Sequence, residues 1–235
     1  MTSAGGLAAL THVLAPLPRG LSAALLVACH QPADRPSRLV FLLDQHTDLT
    51  VRAAEDGAQL TPGVVLVAPP GRHLMITSPT HVGLLDTGPH RPRPSADLLL
   101  TTLAIACGTR AVAVVLTGAG TDGQLGVRAV THRGGTVIAQ DEASSAYFSM
   151  PAAAIATGQV QKVLPPAGIA TAIHDHVIAR TATVTRLELA NTPRPRLPAD
   201  VEEFNPFDLS PERQPPGKAP AASPVDPSPS STGLA

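Results

Sequence analysis

The sequence predicts a doubly wound α/β fold, in which helices cover both faces of a mainly parallel sheet and one antiparallel hairpin departs from it. Short apolar runs typical of buried strands alternate with segments of helical periodicity over residues 1–190. Aromatic side chains are scarce, with no Trp, one Tyr and four Phe, so the core must be built from aliphatic residues. Such a core suits parallel strands that are buried on both faces.

The elements of the first half follow from local periodicity and turn residues. Apolar spacing predicts helices over 6–17 and 37–46, and uninterrupted apolar runs predict strands over 23–28 and 64–68. Two further apolar stretches, 73–77 and 82–86, flank the turn Ser78-Pro79-Thr80, and this pattern predicts the hairpin.

The second half returns to strand and helix alternation. Ser95 is a predicted N-cap of a helix that ends near Cys107. A strand over 111–116, a Gly-rich turn, a helix ending near His132 and a strand over 136–139 follow. Pro151 is the predicted first residue of a helix through 158, since the amide that proline lacks would be unpaired at that position.

The composition changes near residue 190. Eleven of the 25 prolines lie in the last 44 residues, beginning with Thr192-Pro193-Arg194-Pro195. Such a segment cannot bury enough apolar surface to offset the loss of chain entropy. The sequence therefore predicts a folded domain over 1–190 and a Pro-rich disordered tail over 191–235.

The net charge and the cysteine content indicate which binding partners and which cellular compartment to expect. The net charge is −1 and no run of Lys and Arg precedes the tail, so nucleic acid is not an expected partner. Cys29 and Cys107 lie in or beside apolar stretches, and two thiols do not define a disulfide framework, which favours a reducing compartment. No signal peptide or membrane-spanning run is recognisable, so we expect a cytoplasmic protein without membrane insertion.

Three polar residues follow predicted strands or precede predicted helices. Ser3 lies directly before the first helix, His30 follows the strand over 23–28, and Asp122 lies in the Gly-rich turn after the strand over 111–116. Because the carboxyl ends of parallel strands meet at one edge of a sheet, these side chains could converge there. By local sequence alone, Ser3 is more typical of a frayed helix cap and His30 of a surface or capping residue. A hydroxyl, an imidazole and a carboxylate in contact are the groups of a serine hydrolase.

The Gly-rich turn allows three interpretations. Gly118, Gly120 and Gly123 match the pattern GxGxxG between a strand and a helix, and Asp141 follows the next strand, as in a dinucleotide site. Against that hypothesis, the carboxylate of Asp122 would repel a pyrophosphate at the helix N-terminus. The Asp122 side chain could instead cap the helix that follows it, or it could point away from that helix and orient a histidine.

Neither a metal site nor a thiol nucleophile is favoured. His174 and His176 are two positions apart, which places them on different faces of a helix. Cys29 precedes His30, but adjacent residues of a strand point to opposite faces, so a buried structural Cys29 is expected.

Eight short segments carry a resemblance to a known family. They are Ser-Ala-Gly-Gly at 3–6, Cys-His-Gln-Pro at 29–32, Ala-Glu-Asp-Gly at 54–57, Ala-Pro-Pro-Gly-Arg-His-Leu at 68–74, Arg-Pro-Ser-Ala-Asp at 93–97, Leu-Thr-Gly-Ala-Gly-Thr-Asp-Gly at 116–123, Ile-Ala-Gln-Asp-Glu-Ala-Ser-Ser at 138–145 and Met-Pro at 150–151. In this order and spacing, over about residues 2–175, the chain resembles the catalytic domain of the CheB-type chemotaxis protein-glutamate methylesterases.

The resemblance implies a catalytic set of Ser3, His30 and Asp122, the same residues expected from the strand ends, and no metal or organic cofactor. It implies hydrolysis of glutamate γ-methyl esters, and often deamidation of glutamines, on the cytoplasmic helices of methyl-accepting chemoreceptors or on another methylated protein. Ala4 and Ala119 then belong to the oxyanion pocket, at positions where the family usually has Thr and Met.

The family pattern raises three further expectations. A complete strand usually precedes the serine, whereas only Met1 and Thr2 precede Ser3, so we expect either that the first strand is missing or that the chain start has been set too late. A receiver domain usually precedes the catalytic domain, and this chain is expected to be a stand-alone catalytic domain without one. The alternative function is that of a catalytically weak or inactive relative that binds a receptor or a signalling partner.

Overall fold

The computed structural model describes residues 1–32, 36–86 and 94–191. The predicted tail over 191–235 lies outside the described residues, apart from Asn191, and its disorder stays a prediction. Within the described ranges the strands are β1 (Leu25–Val27), β2 (Thr50–Ala53), β3 (Val64–Val67), β4 (His73–Ser78), β5 (His81–Leu85), β6 (Val112–Val115), β7 (Thr136–Gln140) and β8 (Lys162–Leu164).

Six of these strands form two parallel sheets. Strand β3 lies between β1 and β2, and β7 lies between β6 and β8, with parallel pairing throughout. Strands β4 and β5 pair with each other in antiparallel fashion and form the predicted hairpin.

The chain start lies against the first parallel sheet. The Thr2 amide donates to the carbonyl oxygen of Ala28 at 2.9 Å, and the His30 amide donates to the carbonyl oxygen of Thr2 at 3.1 Å. These bonds pair Thr2 in parallel with Cys29, just beyond the end of β1.

The same residues also lie against the second parallel sheet. The Met1 nitrogen donates to the carbonyl oxygen of Val114 at 2.9 Å, and the Leu116 amide donates to the carbonyl oxygen of Met1 at 2.9 Å. Met1 and Thr2 thus supply the backbone pairing of a strand between β1 and β6. The parallel strands follow the order β2, β3, β1, Met1–Thr2, β6, β7, β8.

Helices cover both faces of this sheet. The helices are α1 (Gly6–Leu14), α2 (Leu39–Asp44), α3 (Ala96–Cys107), α4 (Gln124–His132), α5 (Ser149–Ile155) and α6 (Pro166–Asn191). Side chains of α1, α2 and α6 share one buried cluster with Val65 and Val67 of β3. Side chains of α3, α4, α5 and the hairpin share the other cluster with Leu66. This alternation confirms the predicted doubly wound fold.

Three elements were not predicted from the sequence, namely β2, β8 and α6. Both strands lie at sheet edges, and each exposes most of its few residues, so neither contains the continuous apolar run that marks a buried strand. Helix α5 begins at Ser149, two residues before the predicted start at Pro151. Proline is tolerated there because amides of the first helical turn have no intrahelical acceptor.

Helices α3 and α4 approach each other closely at Gly126. A Cβ atom added at Gly126 would lie 2.5 Å from the Cβ of Leu100 in α3. In the same contact the Gly126 amide donates to Asp97 Oδ1 at 2.9 Å, so a carboxylate of α3 pairs with an amide in the first turn of α4. Glycine at this position therefore allows both the close packing and the hydrogen bond.

The substitution Gly126→Ala should lower the free energy of unfolding by about 1–3 kcal/mol, because the added methyl group overpacks the contact between α3 and α4. The stem of Leu100 cannot rotate away, since the short distance is to its Cβ. Urea denaturation provides the measurement. Gly20→Ala is the matched control, because no atom lies within 4 Å of a Cβ added there. Equal stabilities of the Gly126→Ala variant and the unsubstituted protein would contradict the predicted packing.

Candidate active site

Sheet register places Ser3 and His30 side by side. Thr2 and Cys29 are paired in parallel, so the residues that follow them, Ser3 and His30, leave neighbouring strands at the same level. Neighbouring strands lie about 4.8 Å apart, and residues at the same level of a parallel pair point to the same face. Among the described residues, no hydrogen bond joins Ser3 Oγ to the imidazole of His30.

Backbone hydrogen bonds fix the position of Ser3. Its amide donates to the carbonyl oxygen of Thr117 at 3.0 Å, and its carbonyl oxygen accepts from the Gly6 amide at 2.9 Å. Gly5, the residue before α1, has a φ of 77°, and a Cβ added there would lie 2.8 Å from the Cβ of Ala146. The turn that carries Ser3 into α1 therefore requires glycine at position 5.

His30 is held by Asp122. The distance between His30 Nε2 and Asp122 Oδ2 is 3.1 Å, and the two side chains are 18% and 16% exposed. Because an ionised carboxylate only accepts hydrogen bonds, Nε2 of a neutral His30 carries the proton and Nδ1 keeps a free lone pair. The imidazole and the carboxylate are therefore in contact, and Nδ1 is left as the nitrogen that can accept a proton.

Three further donors surround the Asp122 carboxylate. The amide of Ala96 donates to Oδ2 at 2.7 Å, the amide of Asp97 donates to Oδ1 at 3.1 Å, and the Ser95 hydroxyl lies 3.4 Å from Oδ1. Burial by itself would raise the pKa of Asp122, but the hydrogen bonds from His30, Ala96 and Asp97 and the charge of His30 outweigh it, so its pKa lies below the ordinary value. Asp122 is therefore an ionised group in a fixed position.

The carboxylate caps a different helix from the one that follows it. Helix α4 begins after Gly123 without a side-chain cap, whereas the partners of Asp122 are the first amides of α3. The interpretation of Asp122 as a cap of the following helix was therefore wrong. The positive end of α3 further favours a negative charge at this place.

The loops around Ser3 leave several main-chain amides without an acceptor among the described residues, and those of Ala4 and Ala119 are two of them. Ala4 directly follows Ser3, and Ala119 follows Gly118, where an added Cβ would lie 2.9 Å from the Cβ of Ser3. Unpaired amides close to a serine are what an oxyanion site needs.

Sequence reasoning missed the polar residues that support these loops. Buried Thr117 donates through its hydroxyl to the carbonyl oxygen of Ala4 at 3.1 Å and accepts from the amide of Tyr147 at 2.9 Å. Buried Gln140 accepts from the Thr117 amide at 2.8 Å. The available signal was a glutamine at the end of the otherwise apolar strand β7, since buried polar groups are almost always hydrogen-bonded.

The dinucleotide interpretation finds no support at Asp141. Its carboxylate accepts from the amide of Ser144 at 3.1 Å and from the hydroxyl of the same residue, and so closes a local turn. Over the residues that the structure describes, no three His, Cys, Asp or Glu side chains gather as metal ligands would. In the same part of the chain, no helix combines the length and the apolar character needed to cross a bilayer.

The fold and the residues at the sheet edge indicate the class of protein, and the comparison with known families identifies the family. The doubly wound parallel sheet brings Ser3, His30 and Asp122 to one edge, and these are the residue types that a serine hydrolase uses. Residues 1–173 match the family model described as CheB methylesterase, and the chain belongs to that family. This membership confirms the resemblance seen in the sequence.

Individual relatives support the same assignment. The chain is 42% identical over 177 residues to a protein-glutamate methylesterase/protein-glutamine glutaminase of Moorella thermoacetica. The matched region covers 73% of this chain and 42% of that protein. It is 38% identical over 173 residues to the protein-glutamate methylesterase FrzG of Myxococcus xanthus, and the matched region covers 73% of this chain and 52% of FrzG. The crystal structure of the Thermotoga maritima CheB methylesterase catalytic domain has a TM-score of 0.70 and 34% identity, covering 74% of this chain and 94% of that one. The chain spans about half the length of the curated relatives it matches.

Asp122→Asn should destabilise the protein in a pH-dependent way. A folded-state pKa below the ordinary value of 3.8 means that the unfolded chain binds the proton more readily. The stabilisation by the carboxylate is therefore complete above pH 3.8 and is lost as the pH falls through the folded-state pKa. The difference in unfolding free energy between the two proteins, measured in urea from pH 7 to pH 3, should shrink in acid. Asp175→Asn, at a 71% exposed side chain on α6, is the control. A difference that stays constant or grows in acid would contradict the prediction.

Proposed function

We propose that this chain is a serine carboxylic ester hydrolase in which Ser3 is the nucleophile, His30 the general base and Asp122 the residue that orients the base. The observation that carries the proposal is the 3.1 Å contact between His30 Nε2 and Asp122 Oδ2, one strand away from Ser3. An ionised carboxylate on one ring nitrogen leaves the other free to accept a proton from a hydroxyl, as acyl transfer requires.

The proposed reaction has two halves. In the first, Ser3 Oγ attacks the ester carbonyl while His30 Nδ1 accepts its proton, and the amides of Ala4 and Ala119 donate to the oxyanion. The imidazolium then protonates the leaving alcohol. In the second half, water attacks the acyl-serine with His30 again as base, which releases the acid and restores Ser3.

We propose a glutamate γ-methyl ester on a protein as the substrate, with methanol as the leaving group. The relatives from Moorella thermoacetica and Myxococcus xanthus are named as protein-glutamate methylesterases, and the former also as a protein-glutamine glutaminase. Replacing the methoxy group by an amide gives glutamine deamidation through the same steps, with ammonia as the leaving group. The resemblance to chemotaxis methylesterases points to the cytoplasmic helices of chemoreceptors as the partner and to the cytoplasm as the location.

The alternative is a binding module that retains the cleft without catalysis. A silent site does not need an ionised carboxylate on the imidazole or unpaired amides beside the serine. Both features are present here, in Asp122 and in the N–H groups of Ala4 and Ala119. They favour the enzyme over the binding module.

Ser3→Ala should abolish methanol release from a helical peptide that carries one glutamate γ-methyl ester, with kcat reduced roughly 10³-fold or more because the nucleophile is absent. The free energy of unfolding should stay within about 0.5 kcal/mol, since the contacts that fix Ser3 are made by its backbone. Methanol release under single-turnover and steady-state conditions provides the measurement.

Ser78→Ala is the matched control for the loss of a serine hydroxyl. Ser78 ends β4, and its hydroxyl accepts from the amide of Thr80 at 3.3 Å within the hairpin. Its removal should leave kcat within about two-fold. Equal rates for the Ser3→Ala variant and the unsubstituted protein would contradict the enzyme and favour the binding module.

A further inference from the structure

A buried histidine outside the proposed catalytic set is hydrogen-bonded to the residue next to those that hold Asp122. His73 is the first residue of β4 and is 2% exposed. Its Nδ1 accepts a hydrogen bond from the main-chain amide of Ser95 at 3.0 Å. Because Nδ1 is an acceptor in this contact, it carries a lone pair, which is the neutral tautomer with the proton on Nε2.

Ser95 is the residue from which α3 begins. Its hydroxyl accepts from the amide of Leu98 at 3.3 Å and caps the helix, as predicted from the sequence. The two amides that follow, those of Ala96 and Asp97, are the donors to Asp122. The position of the Ser95 main chain therefore decides where the N–H groups that hold the Asp122 carboxylate lie.

We propose that His73 is a positioning residue for Asp122, acting through the main chain of Ser95 and the first turn of α3. The inference rests on the proposed function, in which Asp122 orients His30. It adds a polar chain that runs from His73 through Ser95 and Asp122 to His30, with no contact between His73 and the reacting atoms.

The chemistry of the buried site favours this role over simple core filling. Burying an imidazole is unfavourable unless its nitrogens are hydrogen-bonded, whereas an aliphatic side chain would fill the same space without that requirement. An aliphatic side chain would, however, leave the Ser95 amide without an acceptor at the helix start. The histidine thus satisfies a donor whose position matters to the site.

The expected effect of losing this acceptor is on kcat rather than on KM. A shift of the α3 start moves the carboxylate and with it the imidazole, and a displacement of about 1 Å in a catalytic group costs on the order of 100-fold in rate. His73→Leu should therefore lower kcat roughly 10- to 100-fold on the methyl-ester peptide, with KM within about three-fold. His73→Asn should keep kcat within about five-fold, because its Oδ1 lies as many bonds from the backbone as Nδ1 and can accept from Ser95.

A spectroscopic measurement tests the same point without turnover. In proton NMR, the hydrogen-bonded Nε2–H of His30 should give a low-field resonance in the unsubstituted protein and in the His73→Asn variant. We expect the resonance to be shifted or broadened in the His73→Leu variant. Ile76→Val, at another buried residue of β4, controls for mild destabilisation of the strand and should leave the resonance in place.

The outcomes separate this inference from the proposed function. If the unsubstituted protein releases no methanol, the proposed function fails, and the resonance still decides whether His73 positions Asp122. The positioning role is overturned if the His73→Leu variant keeps both the resonance and the kcat of the unsubstituted protein. It is also overturned if His73→Asn and His73→Leu lose the resonance and kcat to the same extent.

Discussion

The Asp122 carboxylate is the point at which the two halves of the site are tied together. It accepts from the imidazole of His30 on the β1 side and from the amides of Ala96 and Asp97 at the start of α3. With these donors its two oxygens are occupied and its charge is stabilised, so the carboxylate has little freedom to rotate. The orientation of the imidazole then follows from the packing of α3 rather than from His30 itself. A change in the position of the α3 start is therefore expected to alter the orientation of His30 through Asp122, which is hydrogen-bonded to both.

The position of Ser3 depends on the sheet instead. Met1 and Thr2 pair with the segment after β1 on one side and with β6 on the other, so Ser3 stands between the two parallel halves. From this segment the chain passes first to β1, β2 and β3, and later to β6, β7 and β8 on the opposite side. This is the switch point of a doubly wound sheet, where the loops at the carboxyl edge diverge and leave room for a ligand.

Much of this arrangement can be predicted from the sequence, because strand and helix alternation fixes which residues reach the carboxyl edge. The strand ends make Ser3, His30 and Asp122 candidates before any coordinates, and the family resemblance singles them out. Ser95 is recognisable as a cap from its place directly before a helical pattern. The edge strands β2 and β8 escape prediction because they bury too few side chains. A missing first strand was expected because only two residues precede Ser3. In the structure those two residues, Met1 and Thr2, form backbone hydrogen bonds on both sides and so supply the pairing of a strand. The partners of Asp122 escape prediction because they depend on how α3 approaches α4.

The central claim is that Ser3 and His30 act as one unit in which the imidazole serves the serine. Its most direct test is a double-substitution cycle on kcat for methyl-ester hydrolysis, with Ser3→Ala, His30→Ala and the two combined. Groups that act together show strongly non-additive losses, because once the nucleophile is gone the base has nothing to activate. The account predicts that the double variant is no slower than the Ser3→Ala variant. Losses that multiply in the double variant would show that the two residues act independently and would contradict it.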